Sequence, residues 1–87
     1  MAFFQGNILA KDGTLVARGV EIYIDLFCRG NTNSWDGSFE IPMTAPIPHD
    51  SCHIQLSDGR QVMIKNIHSR IKGDNIIVYF EGEGLFR

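Results

Sequence analysis

The 87-residue sequence predicts an all-β domain, a small antiparallel sandwich or partly closed barrel of about seven strands. Three observations carry that expectation. Val20, Ile22, Ile24, Leu26 and Cys28 alternate with Glu21, Tyr23, Asp25 and Phe27, a period of two that buries one face of an extended chain. Asp-Gly dipeptides stand at Asp12-Gly13, Asp36-Gly37 and Asp58-Gly59, each between segments of strand character, and tolerate the positive φ of hairpin turns. Nine glycines accompany an apolar content carried by Ile, Val, Phe and Thr, a mixture suited to strands.

Strands are expected over residues 3–9, 15–29 with a break near Gly19, 32–35, 38–41, 51–57, 60–71 and 76–81. The three Asp-Gly sites and Gly73-Asp74-Asn75 supply the reversals between them. Pro42, Pro46 and Pro48 lack the amide hydrogen that a ladder needs, so residues 42–48 form a loop or crossing connection. The core should hold Val20, Ile22, Ile24, Leu26, Ile54, Leu56 and Val78, with Cys52 also facing inward.

Residues 60–72 admit a second description. Met63, Ile64, Ile67 and Ile71 suit a helical face, with Asp58 as N-cap and Gly73 behind the C-terminus, which would make the fold α+β with one helix. A strand over the same residues needs a change of phase between Val62 and Ile64 on one face and Ile67 and Ile71 on the other. A β-bulge near Lys65-Asn66 supplies it, and the β-branched content favours that strand.

The length accommodates a single β domain over residues 1–87. A net charge of −2 does not fit a dedicated nucleic-acid binder, and the apolar runs are too short to span a bilayer. The N-terminus lacks the basic start and apolar stretch of a secretory signal, so a cytoplasmic location is expected. Cys28 and Cys52 are too few for a disulfide scaffold; they are either reduced, packed as small hydrophobes, or joined by one bridge.

Gly6-Asn7-Ile8, Asp12-Gly13-Thr14, Gly19-Val20-Glu21-Ile22-Tyr23-Ile24 and the run from Asn31 through Trp35-Asp36-Gly37-Ser38-Phe39 to Ile41 follow one another in a characteristic order. Over residues 6–41 the chain resembles the carboxypeptidase regulatory-like, or prealbumin-like, β-sandwich modules. That resemblance implies an accessory, non-catalytic sandwich with no transferable active site, and a hairpin at Asp36-Gly37. The sequence departs from the pattern at Val16-Ala17, where such modules carry a proline, and from Pro42 onward.

No catalytic constellation, metal site or cofactor motif is predicted. In His49-Asp50-Ser51-Cys52-His53, a strand places His49 and His53 on one face about 13 Å apart and Cys52 on the other, too dispersed for one ion. Ser51, His68 and Asp50 lack a nucleophile-elbow context, and Cys52 and His53 face apart as strand neighbours. Gly82-Glu83-Gly84 is too short to cradle phosphate and carries a carboxylate. The basic residues Arg60, Lys65, Arg70 and Lys72 read as a solvated strand face opposite Glu81 and Glu83.

Tyr23 and Phe27 lie on the polar face of the alternating strand. With Trp35 on a neighbouring strand they form an exposed aromatic patch, or else both sheet faces are covered and the rings are core. Leu85 and Phe86 either fold back onto the sheet or pair with another copy. The function expected is a non-enzymatic binding or assembly module that presents a sheet edge and the patch Tyr23, Phe27 and Trp35 to a protein partner or to itself. The alternative is a small-ligand or carbohydrate-binding β domain.

Overall fold

The computed structural model describes residues 2–29, 32–45, 51–84 and 86, with backbone alone for 28, 29, 32 and 33. Six strands, β1 (Ala2–Leu9), β2 (Leu15–Arg29), β3 (Thr32–Pro42), β4 (Cys52–Leu56), β5 (Gln61–Lys72) and β6 (Asn75–Glu83), close into one antiparallel barrel in the order β1-β2-β3-β6-β5-β4. The pairing of Gly6–Leu9 with His53–Leu56 seals β1 to β4. Of the two all-β architectures expected, the barrel is the one formed, and no described residue is helical.

Alternation fills the interior. Ile8, Ile22, Ile24, Phe39, Ile41, Ile54, Ile64 and Val78 are almost fully buried, and Val20, Leu56, Phe80 and Cys52 join them in one cluster. Bulges let a single sheet curl far enough to close. At Gly19 φ is +64°, the β1–β2 register shifts, and the amide donates to Asn7 Oδ1 at 3.0 Å. At Asn66 φ is +51° and the β5–β6 register shifts between Lys65 and His68. The phase change expected in residues 60–72 is this bulge, so the segment is a strand and not a helix.

Two Asp-Gly sites turn the chain, in three-residue loops rather than two-residue ones. Gly13 N donates to Ala10 O and Ala10 N to Thr14 O, and the same pattern recurs with Gly59, Leu56 and Arg60. The aspartate stands before a glycine at positive φ, and its Oδ1 accepts from Thr14 N or Arg60 N. Gly73, at φ +60°, opens the tight β5–β6 reversal.

Asp36-Gly37 corrects the expectation: it is the middle of one continuous strand, which is why the described residues form six strands and not seven. Glycine is needed there for space. A Cβ at Gly37 would collide with the Tyr23 carbonyl and with the Phe80 ring. The hairpin implied by the family resemblance at this dipeptide is therefore absent.

Leu26 is the second correction. It points to the inward side, yet it is 64% exposed. β1 pairs with β2 as far as Ile24, so the end of β2 and the start of β3 project beyond the barrel as a two-stranded ribbon that no described strand faces.

One end of the barrel is filled by aromatic rings. Trp35 lies on Gly82, donates Nε1–H to Gly84 O at 2.9 Å, and meets Phe80 and Phe86 at centroid separations of 6.2 and 5.2 Å. Phe86 thus folds back onto its own barrel; Leu85 lies outside the described residues. Arg60, held by Asp58 at 2.6 Å, covers the rings of Phe4 and Phe86.

Candidate functional site: an aromatic groove on the outer barrel wall

The strand registers align Phe3 with Tyr23, Tyr23 with Ser38, Ser38 with Tyr79, and Tyr79 with His68. These five side chains form one lateral row across β1, β2, β3, β6 and β5. On β2 and β3 the row has the parity opposite to the buried Ile22, Ile24 and Phe39, so it faces outward. Phe3, Tyr23 and Tyr79 are 55, 38 and 40% exposed, and the Phe3 and Tyr23 rings touch with centroids 3.9 Å apart.

Ser38 is small and stands between the two tyrosines, so the row dips at its centre. Tyr23 and Tyr79 rise from strands two places apart, about 9.6 Å between their backbones. On one side of Ser38 lies a hollow of about 510 Å³, walled by Tyr23, Tyr79 and His68 and bordered by Asp25, Asp36 and Glu81. On the other side a second hollow, about 400 Å³, is bordered by Glu21, Glu40, Ile77 and Lys72. Together they make a groove along the outside of β3.

Its electrostatics are lopsided. Asp25 pairs across the sheet with Asp36, and Asp36 with Glu81, so three carboxylates stand side by side on adjacent strands. Like charges directly opposite one another oppose folding. Part of that cost is offset locally: Lys65 stands opposite Glu81, and Asn66, turned by the bulge, donates its amide to Glu81 Oε2 at 2.5 Å. In the second hollow Glu40 accepts from Asn75 Nδ2 at 2.6 Å and has Lys72 Nζ at 3.6 Å. Among the described residues, Glu21, Asp25, Asp36, Glu40 and Glu81 line the two hollows, against Lys72 as the one lysine or arginine lining them and Lys65 opposite Glu81 beside them.

The three residues expected to form the patch are separated. Tyr23 is in the groove. Phe27, half-buried, pairs with Ser34 on the projecting ribbon. Trp35 is 3% exposed inside the barrel, because it shares a face with Phe39 and Ile41. Phe3, Ser38, Tyr79, His68 and the carboxylate row were not anticipated. The alternation of Ile76, Val78 and Phe80 with Ile77, Tyr79 and Glu81 does place Tyr79 outward; its neighbours depend on the register.

The other chemistry weighed from the sequence is dispersed. Cys52 is a buried free thiol, and desolvation pushes its pKa up to about 11, which removes it as a nucleophile near neutrality. The Cys28 side chain, His49 and Asp50 lie outside the described residues. His53 sits on the other face of β4 from Cys52, and His68 stands opposite Tyr79 on β5. Among the described residues no His, Cys, Asp or Glu cluster has the geometry to hold a metal ion. Nor is any described helix long and apolar enough to cross a membrane. No family model matches the chain, and neither a curated protein nor a solved structure matches it.

Proposed function

We propose that this protein is a non-enzymatic binding module that receives an extended segment of a protein partner in the groove along β3. The observation that carries the proposal is the aligned row Phe3, Tyr23, Ser38, Tyr79 and His68, which leaves three large aromatic rings on an outer wall the core does not need. Exposed tyrosines supply contact area at low entropic cost and anchor protein interfaces. The two hollows meet at Tyr23 and Ser38 on the outer wall, which suits an extended chain better than an enclosed small molecule.

Peptide selection tests this. Random dodecapeptides displayed on phage are selected against the wild-type protein and counter-screened on Tyr23→Ala/Tyr79→Ala. The proposal expects sequences that enrich on wild type and bind the variant at least tenfold more weakly, since two anchor truncations remove about 1–2 kcal/mol each. Enriched sequences that bind both proteins equally, or no enrichment, would overturn it.

A further inference from the structure

We infer that the groove selects a basic segment, with lysine or arginine stems lying across Ser38 between Tyr23 and Tyr79 and their cationic heads on the carboxylates beyond. This inference rests on the proposed docking of a partner segment and names its chemistry.

Charge complementarity carries it. Acidic side chains border both hollows, on either side of the aromatic row, so a basic chain laid along β3 meets carboxylate, ring and carboxylate in turn. The spacing agrees. Asp36 is two residues from Ser38 and Glu81 two residues from Tyr79, about 6.8 Å along their strands. An extended lysine or arginine stem reaches that far while its methylenes rest on the rings and its head approaches their faces.

Asp36 and Glu81 also stand directly opposite one another, a placement that like charges disfavour, and a bulge with Asn66 at φ +51° aims an amide at Glu81. A cation brought by a ligand relieves that repulsion. Core packing gains nothing from it.

The experiment uses three synthetic decapeptides, alternating Lys-Thr, Gln-Thr and Glu-Thr, titrated into ¹⁵N-labelled protein, with cellohexaose as a fourth probe. The Lys-Thr peptide is expected to shift the amides of Tyr23, Ser38 and Tyr79 and to bind more weakly as salt rises. Asp36→Asn should weaken it roughly threefold and Asp36→Asn/Glu81→Gln up to about tenfold, as for exposed charge pairs. Asp36→Asn should at the same time raise the denaturation midpoint, because it relieves repulsion; a carboxylate with a structural role alone would lower it.

Equal binding of the Gln-Thr peptide, or no loss in the double variant, would overturn the basic specificity and leave partner docking standing. Groove shifts that follow protein concentration without peptide would place a second copy there and likewise overturn the basic segment. Shifts with cellohexaose alone, or with no probe, would overturn both the specificity and the docking.

Discussion

Gly82→Ala is the substitution whose cost the barrel interior sets most sharply. In an ordinary strand this change is favourable by about 0.5–1 kcal/mol, because alanine gives up less backbone entropy than glycine. Here the added Cβ would fall within the Trp35 indole. The ring cannot swing clear: its Nε1–H is bonded to Gly84 O, and Phe80 and Phe86 flank it. Overpacking therefore dominates propensity, and the net loss is about 2 kcal/mol. For a domain this small that lowers the melting temperature by roughly 10 °C. Trp35→Leu alone should cost about 3 kcal/mol through the void it opens. Together the two changes should cost at least about 1 kcal/mol less than their sum, because the alanine methyl occupies part of that void. Urea denaturation followed by far-UV circular dichroism measures all four proteins. Additivity within about 0.5 kcal/mol, or a neutral Gly82→Ala, would refute the placement of Trp35 over Gly82 inside the barrel.

Leu26 and Ile24 share a face of β2 but should respond differently to truncation. Ile24→Ala should cost about 2–4 kcal/mol and Leu26→Ala under about 1, since only Ile24 is enclosed; chemical denaturation compares them. Cys52 should resist iodoacetamide at neutral pH and react at once in denaturant, as mass spectrometry would register. Hydrogen bonds from Thr14 and Arg60 hold Asp12 and Asp58 below the ordinary 3.8. A depressed folded-state pKa means stabilisation that is complete above 3.8 and lost as pH falls below it. Asp12→Asn/Asp58→Asn should therefore flatten the decline in melting temperature on that acid side.

The sequence shows most clearly where a single strand carries its own evidence. The alternation of β2 from Val20 to Ile24 and the clash of phase in residues 60–72 both survive in the barrel, the second as the bulge at Asn66. Asp36-Gly37 misleads because one dipeptide serves two physical ends. At Gly13 and Gly59 the glycine relieves a positive φ; at Gly37 it relieves a close approach of Tyr23 and Phe80. The alternation of Trp35, Gly37, Phe39 and Ile41 runs unbroken through that point, and it is the signal that puts the tryptophan inside. Leu26 has the parity of a core residue, but its place two residues beyond the Ala2–Ile24 pair leaves it uncovered by the described residues. The groove was the least legible feature, since its rings and carboxylates meet only through the registers of five strands, one junction of which, β3 with β6, joins segments distant in sequence.

Cross-strand nuclear Overhauser contacts test the arrangement on which the groove depends most directly. The barrel requires contacts joining Tyr23 to Ser38 and Ser38 to Tyr79, together with Ile8 to Ile54 across the closing seam. Contacts between Ser34 and Phe39 in their place would mean that the chain reverses at Asp36-Gly37. The two tyrosines would then no longer flank Ser38, and no groove would exist.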